Sequence, residues 1–165
     1  VSKTDVRLVG YDHADAQLLI GQVQQEYVVR YGGPDGSPVE LDEFTPPHGH
    51  FVVRYEGGRP VAMGGWRFSD VIRVQLGFDD RVVELKRMYV VPESRGRGHA
   101  RHVLNHLERS AATAGAGWMV LETGSAQPEA VALYRSAGYE DVHPFGHYAD
   151  SPSSIHLGKR LTPGS

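Results

Sequence analysis

The chain has 165 residues, 40% hydrophobic and 22% charged, which suits one packed core and excludes a disordered polymer. Its 17 basic and 20 acidic side chains give a formal net charge of -3, which argues against a protein that coats nucleic acid. With no cysteine, disulfides, thiolate metal sites and a thiol nucleophile are excluded.

Residues 3–9 alternate loosely and read as a first strand. Residues 12–31 read as a helix, with Asp12 as N-cap and Ala16, Leu19, Ile20, Val23 and Tyr27 on one face. Residues 32–49 form a polar, Pro/Gly-rich connection with a short helical turn at 40–44. A loop of this length is either a binding loop or merely exposed. Residues 51–55 and 60–68 read as a hairpin, and Gly64-Gly65 marks a bulge or a close approach. Residues 69–81 read as an irregular insertion, and 82–91 as the next strand.

Residues 96–114 read as a helix with Ala100, Val103, Leu104, Leu107 and Ala111 as its buried stripe. Residues 118–122 form an apolar strand covered on both faces. A helix over 128–137 begins at Pro128 and stops before Gly138. Short strands over 139–142 and 153–159 flank a loop carrying Phe145, His147 and Tyr148. Early strands joined by hairpins and later ones by helices predict an α/β (α+β) fold. Its centre is a mixed, mostly antiparallel sheet of about six to seven strands flanked by helices. No repeat or boundary divides the chain, so a single domain over 1–165 is expected. No long apolar run and no leader is legible, so a cytoplasmic protein without a membrane partner is the expectation.

Chemistry concentrates in residues 84–101. Lys86 and Arg87 are adjacent, so one charge points to each sheet face unless the strand is bulged. The alternative is an edge strand with snorkelling basic side chains. Arg95, Arg97 and Arg101 cluster at the start of the next helix, with no acid in its first turn. Each opposes the helix dipole by roughly 0.3–1 kcal/mol when exposed, and a bound anion would reverse that sign. Gly96 and Gly98 add backbone access, which favours the anion. A P-loop needs Gly-Lys-Ser/Thr, whereas this loop reads Arg97-Gly98-His99-Ala100. A dinucleotide fingerprint needs Gly or Ala where Arg101 stands.

The pattern Arg95-x-x-Gly98-x-Ala100 resembles the acyl-CoA pyrophosphate signature of the GNAT N-acetyltransferase superfamily. Residues 85–92 look like that family's cofactor strand, 120–123 like the next strand, and 127–139 like its late Leu-Tyr…Gly-Tyr helix. The resemblance implies the GNAT acyl-CoA N-acyltransferase fold. It implies acetyl-CoA as co-substrate, no metal, and transfer to a primary amine of a small molecule or peptide. Met88 and Val90 would offer backbone partners to the pantetheine arm. The N–H groups of Arg95, Gly96, Arg97, Gly98, His99 and Ala100 would hold the pyrophosphate.

Glu84 or Glu122 would be the base, each with an ion pair to Lys86 or Arg87 as its alternative role. Met88 or Tyr89 N–H would receive the oxyanion. Tyr134 would protonate the thiolate, its alternative being a core tyrosine. Gln127 stands where many members carry Asn against the pantetheine. For the acceptor, Glu43, His147 and Tyr148 are the candidates, with Glu40, Asp42, His143 and Phe145 nearby. Nine histidines include His99, His102 and His106 on one helix, yet no H-E-x-x-H motif exists and no metal is expected. No nucleic-acid partner is expected, and a homodimer is left open. The second functional class is a non-catalytic acyl-CoA-binding or regulatory module.

Overall fold

The computed structural model describes residues 3–162. The single domain expected over 1–165 therefore extends past the described residues at both ends. In chain order the elements are β1 (Thr4–Leu8), α1 (Ala14–Tyr31), β2 (Gly49–Glu56), β3 (Arg59–Phe68), α2 (Asp70–Leu76) and β4 (Val82–Val90). They continue with α3 (His99–Thr113), β5 (Trp118–Gly124), α4 (Pro128–Ser136), β6 (Glu140–Asp141) and β7 (Ser154–Arg160). Short 3-10 turns occupy Leu41–Phe44 and Pro92–Ser94.

The seven strands form one sheet in the order β1-β2-β3-β4-β5-β7-β6. Every pairing is antiparallel except β4 with β5. That parallel pairing is brief, joining Val82, Val83 and Glu84 to Trp118, Met119 and Val120. Beyond it β4 stays with β3 and β5 stays with β7, so the two strands part.

Helices cover both faces. On one, Val103, Leu104, Leu107 and Ala111 of α3 pack with Trp66, Leu85, Leu121 and Tyr134. Their spacing of three and four residues keeps them on one helix face. Truncating Leu104 or Leu107 to Ala would cost about 2–5 kcal/mol. On the other face, Leu19, Ile20 and Val23 of α1 pack with Phe44, Phe51, Met63 and Tyr89. Gly65 is required here, because a Cβ would overlap the Phe51 ring and the His50 carbonyl. Of the two expectations for Gly64-Gly65, the close approach is the one seen, and the register shift between Met63 and Gly65 arises from an extra residue on β4.

Three local expectations are corrected. The N-cap of α1 is His13, whose Nδ1 accepts from Asp15 N at 3.1 Å, and not Asp12. Residues 69–81 contain α2, capped by the Ser69 hydroxyl on Ile72 N and closed by Gly77. Ala100 is only half-buried, while Ala112 joins the α3 stripe. No helix among the described residues is long and apolar enough to cross a membrane.

Candidate functional site

The parting of β4 from β5 opens a cleft of about 330 Å³. Lys86, Arg87 and Met88 line it from β4, and Leu121 and Glu122 from β5. Tyr27 and Tyr31 close it on the α1 side, and Ala130 and Tyr134 on the α4 side.

At the end of β4 the chain turns through Pro92–Ser94 into α3. Gly96 and Gly98 have φ of 79° and 82°, a left-handed conformation that costs L side chains about 1 kcal/mol or more. The first helical bond of α3 runs from His102 N to Gly98 O, so the preceding N–H groups at 99–101 have no helical acceptor. Gly96, Arg97 and Gly98 N–H groups also find no acceptor among the described residues. Arg95 N–H is different, because it donates to Pro92 O at 3.3 Å. The open cradle thus runs from Gly96 to Arg101 and suits phosphate oxygens at the positive end of a helix dipole.

The side chains of this loop are already engaged. Arg95 donates to Glu26 at 2.5 Å and to Val90 O at 2.9 Å. Arg97 pairs with Glu56 at 3.3 Å, and Arg101 donates to Ser136 at 2.7 Å. His99 is buried and turns inward, its Nδ1 accepting from Arg54 at 2.9 Å. Only its backbone is available to the loop.

Further back on β4, Arg87 has φ of 62° and is the one non-glycine residue with positive φ among those described. This bulge settles the adjacency of Lys86 and Arg87. Both side chains leave the same face and reach Asp35 Oδ2, Lys86 Nζ at 3.1 Å and Arg87 Nη1 in a short contact. The other carboxylate oxygen, Oδ1, accepts from Ser37 N at 2.9 Å and Tyr148 Oη at 2.8 Å. Burial alone would raise the Asp35 pKa, but Lys86, the Ser37 N–H, Arg87 and Tyr148 outweigh it and hold it well below the usual value. Arg87 Nε donates to Tyr11 Oη at 3.2 Å. No local pattern marks Asp35 or Tyr11 as a site residue. Asp35 sits between Pro34 and Gly36 and reads as a turn residue.

The sequence model of the acetyltransferase (GNAT) family matches residues 20–139. The chain belongs to this family. It is 34% identical over 123 residues to the IAA acetyltransferase of Azospirillum brasilense, across 74% of this chain and 75% of that one. It is 32% identical over 142 residues to the N-acetyltransferase YjgM of Escherichia coli, across 82% and 81% of the two chains. A Klebsiella pneumoniae structure described as an acyl-CoA N-acyltransferase superposes with a TM-score of 0.77 at 24% identity, covering 96% of this chain and 98% of that one. A ribosomal-protein-alanine N-acetyltransferase from Brucella melitensis superposes with a TM-score of 0.71 at 18% identity, covering 95% and 99%. The two structural likenesses speak to the fold.

Within this acetyltransferase the expected site residues separate into two groups. Glu84 is buried against Arg67, which donates to it at 3.1 and 3.0 Å, and it does not line the cleft. Its ion-pair partner is therefore Arg67 rather than Lys86 or Arg87. Glu43 joins the same arginine at 3.2 Å and accepts from Glu40 N at 2.6 Å, which makes it a structural cap away from the cleft. His147 is exposed and stays outside the cleft, edge-on to Tyr148 at 4.7 Å. Tyr89 points its ring into the α1 core and its hydroxyl to Gln22 at 3.1 Å. Its N–H follows that of Val91, which donates to Val61 O, so it is directed at β3 and not at the cleft.

Glu122, Tyr134, Met88, Gln127 and Tyr148 all line the cleft. Burial raises the Glu122 pKa; the Ser154 hydroxyl and Lys86 pull it back, and Asp35 and Glu84 push it up again. The net rise makes Glu122 a stronger base than an exposed carboxylate. Burial, with Tyr27 nearby, pushes the Tyr134 phenol up, so it keeps its proton at neutral pH. Gln127 precedes α4 and its amide lies 3.4 Å from Tyr31 Oη. Among the described residues, no group of three or more His, Asp or Glu side chains is arranged to hold a metal ion.

Proposed function

We propose that this acetyltransferase takes its acetyl group from acetyl-CoA and passes it directly to a primary amine held in the same cleft. The observation that carries the reading is the cleft itself. It opens where β4 leaves β5, is walled by the strand that runs on into the unpartnered N–H cradle, and has both Glu122 and Tyr134 in its walls.

The N–H groups from Gly96 to Ala100 would hold the diphosphate, and the free edge of β4 at Met88 and Val90 would pair with the amide-containing arm. Acetyl-CoA supplies an acyl thioester, whose carbonyl carbon is the electrophile. An alkyl ammonium with a pKa of about 10.4 must lose a proton before its nitrogen can attack. Glu122 takes that proton, directly or through one water. Met88 N–H holds the oxygen that gains charge as the amine adds. Tyr134 gives its proton to the departing sulfur, and the second proton that the acetylated nitrogen must shed returns to the phenolate, directly or through water.

The test is incubation with acetyl-CoA and a panel of amines, following free thiol and the mass of the acetylated amine. Thiol release matched by acetylated product is expected, with Tyr134→Phe lowering the rate. Acetyl-CoA that binds tightly while no amine is acetylated would instead identify a non-catalytic acyl-CoA-binding module.

A further inference from the structure

The acceptor half of the cleft carries an unusual arrangement of charge. Arg87 is buried and Lys86 half-buried, with side chains 5% and 9% exposed, and they share one oxygen of one carboxylate. Asp35 has nothing left to offer. Its two oxygens already accept from Lys86, Arg87, Ser37 N and Tyr148, which fills the roughly four acceptor positions of a carboxylate. The nearby acids Glu84 and Glu43 are bound to Arg67. Two cations therefore share one fully used anion, and the other carboxylate near them in the cleft is Glu122.

Arg87 also has donors to spare. Its Nε is used by Tyr11 and its Nη1 by Asp35, whereas Nη2 makes no hydrogen bond among the described residues. A guanidinium carries five N–H groups, and Nη2 is not among the buried side-chain atoms left without a partner, so its free edge is open to the cleft. Arg87 lines that cleft. Glu122 lines it too, and takes part in no ion pair among the described residues. The wall thus presents cationic groups with N–H donors to spare, Nη2 of Arg87 above all, beside a carboxylate at Glu122 that makes no ion pair among the described residues. Arg87 meets Tyr11 of the α1-side core and Lys86 joins it at Asp35, opposite α3, so the phosphates of the donor at the α3 cradle do not account for them.

We infer that the acceptor is an amino acid or a similar small zwitterion, its carboxylate held by Arg87 and Lys86 and its ammonium by Glu122. The inference rests on the acetyl-transfer reading above and narrows it. Arg87 is the anchor, because a planar guanidinium with a free edge accepts a carboxylate through parallel N–H···O bonds. Asp35 is the positioning residue that keeps Lys86 and Arg87 together on one side of the bulge. Glu122 then meets the ammonium it must deprotonate, so binding the carboxylate also orients the nitrogen for attack.

The experiment compares each common amino acid with its own amide and its decarboxylated amine, using wild-type protein and saturating acetyl-CoA. The readouts are thiol release and acetylated product. The expected result is at least one amino acid whose kcat/KM exceeds that of its amide by about tenfold or more, since the amide cannot offer the anion. In Arg87→Gln and in Lys86→Met that ratio falls toward one. Amides or plain amines acetylated as well as the amino acids would overturn this inference and leave the acetyl-transfer reading standing. No product from any amine, with acetyl-CoA demonstrably bound, would overturn both. The wild-type comparison decides the matter even where a substitution at buried Arg87 prevents folding.

Discussion

The bulge that walls the cleft and the cradle that follows β4 are built from different material. The cradle after β4 is made of backbone: consecutive N–H groups, two left-handed glycines and a helix start, all within a short stretch of chain. Its arginines are paired with Glu26 and Glu56 and sit half in water. The bulge within β4 is made of side chains that converge from far apart. Asp35 lies 51 residues from Lys86 and 113 from Tyr148 along the chain, and all are largely withdrawn from solvent. A backbone site tolerates change in the side chains around it. A buried charge cluster depends on every member.

The contrast can be tested by substitution, beginning with the largest effect. Glu122→Gln removes, of the two expected bases, the one that lines the cleft, and is expected to lower kcat by about 10²–10⁴. A steady-state assay across pH measures it. Because the Glu122 pKa is raised and the base must be ionised, wild-type kcat/KM should fall on the acid side with a midpoint above the ordinary 4.5. That limb should vanish from the residual activity of the variant. Asp35→Asn leaves two buried cations short of their counter-charge and should cost about 3–5 kcal/mol in urea unfolding.

The pH dependence of that stability has a definite sign. Asp35 is held below its ordinary 3.8, so its contribution is present above that pH and is lost as pH falls through the lower folded value. Asp35→Asn should remove this component of acid unfolding.

Effects at the cradle should be smaller. Gly98→Ala places a Cβ on a residue with φ of 82° and should cost about 1–2 kcal/mol in stability while raising KM for acetyl-CoA. The nearest atom to that Cβ is His102 Cδ2 at 4.0 Å, so strain and not overlap is the cause. Smallest of all, Arg97→Gln should change stability by less than about 1 kcal/mol, and KM for acetyl-CoA by less than about fivefold. Its side chain is 53% exposed and already shared with Glu56. An effect on KM as large as that of Glu122→Gln on kcat would break the contrast.

The same contrast explains what could be read from the sequence. The cradle was legible because its signature is local: Arg95, Gly98 and Ala100 lie within one turn of chain, and the glycines announce their own backbone. The sheet and its hairpin were legible for the same reason, through alternation and turn chemistry. The bulge was legible only as a question, posed by adjacent Lys86 and Arg87, because periodicity has no reach to Asp35 in a distant loop. Glu84 and Glu43 could not be set aside without Arg67, which arrives from β3. The α2 helix was missed although Ser69 and Gly77 cap it. With Val71 and Val74 exposed at 69% and 67%, its seven residues show no clean apolar face.

The most direct measurement is a crystal structure with acetyl-CoA bound. Diphosphate oxygens are expected within hydrogen-bond distance of the N–H groups between Gly96 and Arg101, and the thioester oxygen on Met88 N–H. The carbonyl carbon is expected between Glu122 and Tyr134. A donor seated outside the β4–β5 cleft, or a thioester remote from both Glu122 and Tyr134, would contradict this arrangement.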